Sequence, residues 1–134
     1  MSSSKSKSKA SAEAGDNEPH MFADTHGVIV TTMNDIPGYR VVRVLGTVYG
    51  LTVTSRNWGA DIGSFLKSAV GGELKYFTTM MYRARNAAVE RMVGECMGRG
   101  GNAIIAQRFD TGEIKIAAQT CAYGTACIVE KIPE

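Results

Sequence analysis

YRVVRVLGTVYGLTVTS, residues 39–55, decides the fold. The stretch is rich in Val and Thr, β-branched residues that suit a pleated backbone, and it is longer than an ordinary strand. Strict alternation puts Val42, Val44 and Val48 on one face and Val41, Leu45, Tyr49, Leu51 and Val53 on the other. Both faces are therefore apolar. Gly46 and Gly50 interrupt the run; glycine in a strand marks a bulge or the close approach of another backbone.

The last third of the chain repeats the pattern. Ala103–Phe109 reads as a strand, Asp110-Thr111-Gly112 as a hairpin turn and Ile114–Lys131 as a long final strand. Even positions of that strand (Ile116, Ala118, Thr120, Ala122, Gly124, Ala126, Ile128) make a smooth surface on which helices can lie close. Odd positions carry Gln119, Cys121, Tyr123, Thr125, Cys127 and Val129, more polar but hardly charged.

Between the two strand regions lies helical periodicity. Asp61 suits an N-cap, and Ile62, Phe65, Leu66, Ala69 and Val70 recur at helical spacing until Gly71-Gly72. A second helix is expected from Glu73 to about Gly98, with Leu74, Phe77, Met81, Ala84, Ala88, Met92 and Cys96 along one stripe. Arg99-Gly100-Gly101-Asn102 ends it. A short strand, Val28–Thr32, precedes the turn-rich Asn34-Asp35-Ile36-Pro37-Gly38. The order β-β-α-α-β-β predicts an α+β subunit, a mainly antiparallel sheet with two helices on one face. One helical layer covers one sheet face, so the other half-apolar face predicts a neighbouring subunit.

Composition bounds the remainder. The 134 residues suit one domain, expected over 28–134. Residues 1–27 open with a Ser/Lys-rich run and turn acidic; a segment so poor in apolar groups is expected to be disordered. It has no apolar run of the kind that makes a signal peptide, and no run in the chain is long enough to span a membrane. A net charge of +2, mixed in sign along the chain, gives no footprint for nucleic acid. Three cysteines without a C-x-x-C spacing argue against a disulfide scaffold and for a reducing, cytoplasmic setting.

An ordered series of short motifs then points to a family. Ile29-Val-Thr-Thr32, Pro37-Gly-Tyr39, Gly50-Leu-Thr-Val53, Ser55-Arg-Asn57, Asp61-Ile62-Gly63, Val70-Gly-Gly-Glu73, Glu90-Arg-Met92, Asn102-Ala103, Phe109-Asp110 and Ala122-Tyr-Gly-Thr-Ala126 together resemble the YbjQ family of heavy-metal-binding proteins over about 28–130. Gly100-Gly101-Asn102-Ala103 departs slightly from the family's usual Gly-Ala-Asn-Ala, and the Ser/Lys tail lies outside its pattern. The resemblance implies a small α+β subunit assembling into a ring, a homopentamer, with a metal ion as ligand.

Soft ligands for such an ion would be Cys121, Cys127 and Cys96, with His20 and His26 beside the tail. Cys121 and Cys127 share a face of the last strand, but six residues at ~3.3 Å each hold them nearly 20 Å apart, too far for one ion within a subunit. A shared site would need convergence between subunits. Equally, each cysteine fits as a small buried hydrophobe. Asp61, Glu73, Asp110 and Glu113 are explained by caps and turns rather than by a hard cation. The domain from Val28 onward has no histidine, which removes Ser-His and Cys-His nucleophile systems, and no nucleotide or hydrolase motif is present. Binding is therefore expected rather than catalysis. Alternative ligands are a small organic molecule at subunit interfaces, with Trp58, Arg56 and Glu73 as ligand or interface residues, or none at all in a structural or adaptor ring.

Overall fold

The computed structural model describes residues 19–55, 69–70, 73–114 and 117–133. Its elements in chain order are β1 (Ile29–Val30), β2 (Tyr39–Ser55), β3 (Ala69–Val70), β4 (Glu73–Leu74), α1 (Lys75–Gly98), β5 (Ala103–Ile114) and β6 (Ala117–Lys131). Two compact units divide the chain: 1–22 with 58–83, and 23–57 with 84–134. Within the first, β3 and β4 form a two-stranded antiparallel pair, Ala69 opposite Leu74 and Val70 opposite Glu73.

The second unit holds a four-stranded mixed sheet in the order β1-β5-β6-β2. The β5-β6 and β6-β2 pairs are antiparallel, and β1 lies parallel to β5 with Ile29 opposite Ala103. The α+β class and the long strands are as expected from the sequence, but four details differ. The turn-rich stretch between the first two strands does not pair them: β1 is on the far edge from β2. The expected helix from Asp61 lies largely outside the described residues, and its last two positions, Ala69 and Val70, are strand. Glu73-Leu74 answers them, so α1 starts at Lys75 and is the one helix among the described residues. Finally, Asp110, Thr111 and Gly112 continue the ladder instead of turning, with Ile114 already opposite Ala117.

The helix covers one sheet face. Ala88, Val89, Met92, Val93 and Cys96 of α1 pack with Val28, Val48, Ile104, Ala122 and Ala126, all buried. This closeness depends on Gly50: a Cβ there would lie 2.5 Å from the Met92 amide nitrogen and 2.8 Å from Arg91 Cβ, and would also meet the Ala88 carbonyl. Helix and strand backbones touch, as one reading of that glycine anticipated. Gly46 answers the other reading. It sits at φ +103°, where the register slips between Val44 and Gly46; a second slip lies between Val41 and Arg43.

These slips correct the simple alternation. Directly paired residues share a face, and Val41 is opposite Val129, Val44 opposite Cys127 and Tyr49 opposite Tyr123. Val41, Val44, Tyr49, Leu51 and Val53 consequently line the face turned away from α1, while Leu45 and Val48 join the core beneath the helix. Part of the outer face has its own small core of Ala103, Cys127 and Val129, with Ile29, Ile36, Tyr39 and Ile105 against it.

The helix exit is a Schellman cap. The Gly101 amide donates to Cys96 O at 2.9 Å and the Gly100 amide to Met97 O at 2.9 Å, with Gly100 at φ +81°. Asn102 then clasps β6: its Nδ2 donates to Val129 O at 2.9 Å and its Oδ1 accepts from Val129 N at 2.8 Å.

Candidate functional site

Two places in the second unit carry chemistry or contact surface: the outer sheet face and the junction where α1 ends.

Strand β2 is an edge strand, and such a strand presents unpaired backbone groups. Arginines from α1 occupy part of that backbone. Arg99 Nη1 donates to Thr47 O at 3.1 Å and to Leu45 O at 3.5 Å, and Arg91 Nη1 donates to Leu51 O. Among the described residues, no such contacts cover the neighbouring outer face. Val44, Tyr49 and Val53 are 62%, 58% and 65% exposed, and Val41, Leu51 and Tyr123 are also substantially open. Beside them, Arg108 and Asp110 of β5 flank Tyr123 and Cys121 in register. At one end Val53, Gly112, Glu113, Ala117, Ala118 and Gln119 line a notch of about 250 Å³.

The three thiols separate differently from the sequence expectation. Cys121 is half-buried on the outer face, opposite Leu51 and Asp110. Burial pushes its thiol above the ordinary value, and the Asp110 carboxylate adds to the effect. Cys127 lies six residues further along the same strand and face, in the outer cluster with Ala103 and Val129, whereas Cys96 belongs to the helix-side core; the two touch one carbonyl from opposite sides of the sheet. The Cys96 Sγ donates to Ala103 O at 3.6 Å, and the Cys127 Sγ donates to that same oxygen at 3.7 Å. Both residues are fully buried. Desolvation raises both thiols; Cys96 is raised further by Cys127, an effect the hydrogen bond to Ala103 partly offsets.

This convergence follows from the local fold. Cys96 is in the last turn of α1, Ala103 opens β5, and Cys127 is the β6 residue opposite Ala103. The tight cap folds the chain back within seven residues, with Gly101 directly over the thiol. A Cβ on Gly101 would stand 2.6 Å from Cys96 Sγ and 3.3 Å from Cys127 O. The sequence did not reveal the contact of Cys96 because spacing along one strand is visible in it and the return of the helix end is not. Gly100-Gly101 was the available signal, read as a stop and not as a fold-back.

The other named residues contribute less. Arg56 and Trp58 lie outside the described residues, and Glu73 is a strand residue opposite Val70. His26 is exposed, with its Nδ1 3.6 Å from Asp24 Oδ1. Among the described residues no three or more His, Cys, Asp or Glu side chains gather as a metal-ligand group, and no helix is long and apolar enough to cross a membrane.

Comparison with known proteins gives a consistent result. The YbjQ family model, described as "Putative heavy-metal-binding", matches residues 28–130. A UPF0145 protein of Streptomyces griseus is 48% identical over 106 residues, covering 78% of this chain and 88% of that one. A UPF0145 protein of Methanothermobacter thermautotrophicus is 50% identical over 111 residues, covering 82% and 97%. A crystal structure from Pediococcus pentosaceus, a DUF74 family member, superposes with a TM-score of 0.55 at 16% identity, covering 78% of this chain and 99% of that one. That last likeness concerns the fold alone.

Proposed function

Since the chain belongs to the YbjQ family, we propose that it is a non-catalytic, ring-forming binding protein of the cytoplasm, a homopentamer that holds a heavy-metal ion. The observation that carries this reading is the uncovered outer face of the sheet. Val41, Val44, Tyr49, Leu51, Val53 and Tyr123 are all partly open on it. With typical side-chain areas they amount to roughly 600 Å², at the upper end of what monomers expose and near the ~800 Å² per partner of a standard interface. A second copy is the partner that every molecule of this protein meets at its own concentration. The Arg91 and Arg99 contacts on β2 support association through this face, since they occupy part of the adjoining strand edge. The metal is carried over from the family description.

Native mass spectrometry of untagged protein at micromolar concentration tests the assembly. A fivefold multiple of 14.4 kDa is expected. Tyr49→Lys and Val44→Glu should each shift the population toward monomer while leaving far-UV circular dichroism unchanged. A wild-type protein that is monomeric throughout would overturn the reading of the sheet face.

A further inference from the structure

From Val44 to Ser55, strand β2 carries no charged residue and no proline. We infer that this edge is a latent pairing surface for the same strand of a second copy, and that Arg91 and Arg99 of α1 hold it shut. The inference goes beyond the sheet-face association proposed above and stands apart from it, because it concerns a surface kept out of any assembly.

The run has what self-pairing needs. A long, β-rich, uncharged strand at the margin of a sheet is a template for another strand. β2 ends the sheet order, with β6 on its paired side. Alternate residues of an edge strand turn both N–H and C=O away from the ladder. Thr47 and Leu51 belong to that set, since their carbonyls accept from α1, and Tyr49 and Val53 follow in the same phase. Two copies laid antiparallel along this run, related by a twofold axis, offer each other matching donors and acceptors with no like charges to keep them apart. Proteins commonly blunt such an edge with Lys, Pro or a bulge on the strand itself. Residues 44–55 contain neither residue, and beyond the slip at Gly46 the register runs evenly to Ser55.

The helix supplies the missing charge. Arg99 donates to the carbonyls of Leu45 and Thr47, and Arg91 to that of Leu51, so three acceptors that an incoming strand would use are filled. The spacing fits. Eight residues of helix between the two arginines rise ~12 Å, and four residues of strand from Thr47 to Leu51 span ~13 Å. The two strand glycines give the arginines passage. A Cβ on Gly50 would stand 2.8 Å from Arg91 Cβ, so Arg91 leaves the helix directly over that glycine. A Cβ on Gly46 would stand 3.8 Å from Arg99 Nη1, which lies beside it. A guanidinium also suits the task because it stays charged at every working pH and keeps further N–H donors for water. A strand that displaced it would have to strip that water from a charge.

The experiment compares wild type with Arg91→Met/Arg99→Met, which keeps two unbranched apolar stems and removes the donors. Light scattering after size exclusion, at equal micromolar concentration, gives the mean mass. Hydrogen exchange reads the amides of Thr47, Tyr49, Leu51 and Val53. The double variant should at least double the mass of whatever assembly wild type forms, with those amides slowed. Adding Thr47→Lys puts a charge on the strand itself and should restore the wild-type mass. Unchanged mass and exchange in the double variant would overturn the inference, as would a gain in mass that Thr47→Lys leaves in place. Wild-type protein in which those four amides are already as slow as the ladder amides of β2 would overturn it too, since the edge would then be paired with its arginines present. Should the double variant fail to fold by circular dichroism, Arg99→Met alone, which frees Leu45 and Thr47, must show the gain, and its absence refutes the guard. Wild type is the reference in whatever state it takes, so the sheet-face reading can fail without deciding this one.

Discussion

Replacing Gly50 by alanine should cost more stability than any other glycine-to-alanine change in the sheet or helix. A Cβ at this position falls 2.5 Å from the Met92 amide nitrogen, 2.8 Å from Arg91 Cβ and against the Ala88 carbonyl. Two of those neighbours are helix backbone, which cannot rotate aside as a side-chain tip would. The helix must lift from β2, and the packing of Met92, Val89 and Val48, all buried, loosens with it. Overpacking costs about 1–3 kcal/mol where neighbours yield; here they are backbone, so about 3 kcal/mol is expected. For a domain of this size that corresponds to a melting-temperature drop of roughly 12–24 °C. Two companions isolate the cause. Gly46→Ala has room, its nearest neighbour being Arg99 Nη1 at 3.8 Å, but φ +103° strains any side chain, for about 1–2 kcal/mol. Gly94→Ala, exposed in α1 with nothing within 4 Å, should stabilise by about 0.5–1 kcal/mol. Urea unfolding at one fixed protomer concentration gives all three values. A Gly50→Ala loss below about 1 kcal/mol would refute the backbone contact between α1 and β2.

Other changes probe separate interactions. Asn102→Ala removes both hydrogen bonds to Val129 and leaves that backbone pair without the clasp, so urea unfolding should show a loss of about 2 kcal/mol. Glu130→Gln breaks the 3.0 Å ion pair with Arg40, but both groups are well exposed; a change below about 0.5 kcal/mol in the same assay is expected. All three thiols are raised above the ordinary value of 9.0. Raised thiols mean that the unfolded chain ionises first. Their contribution is intact below pH 9 and is lost as pH climbs from there through the folded values, and Cys96→Ala/Cys127→Ala should flatten that decline in a pH series of unfolding curves.

Much of the fold was legible because period-2 alternation is a local property. Residues 39–55 and 114–131 emerged as long strands from their own side chains, the second beginning at Ala117 in the structure, and Gly46 and Gly50 were marked as places of a bulge or a close approach without a choice between the two. What alternation alone cannot give is the phase after a bulge. Two slips in β2 move Val44 to the outer face and Leu45 to the inner, and a sequence offers no count of how many residues each slip absorbs. Pairing order is likewise non-local. The turn at Asn34–Gly38 is real turn chemistry, yet β1 pairs with β5, across some seventy residues of chain, in place of the strand that follows it.

Cys96 and Cys127 show why a shared contact can stay hidden when each of its residues is noticed. Cys121 and Cys127 were comparable at sight because a strand converts residue number into distance at a fixed rate. No such rate relates Cys96 to Cys127. Their meeting depends on three separate facts: a helix ending in a Schellman cap, a strand beginning at once behind it, and a register that places Cys127 opposite Ala103. Change the register by one residue and Ala126 or Ile128 would stand there, its side chain turned to the other face. That shared contact is thus a property of register as much as of composition. A family whose members share the fold need not share the pair, because only chains with sulfur at both these positions bring two thiols to one carbonyl.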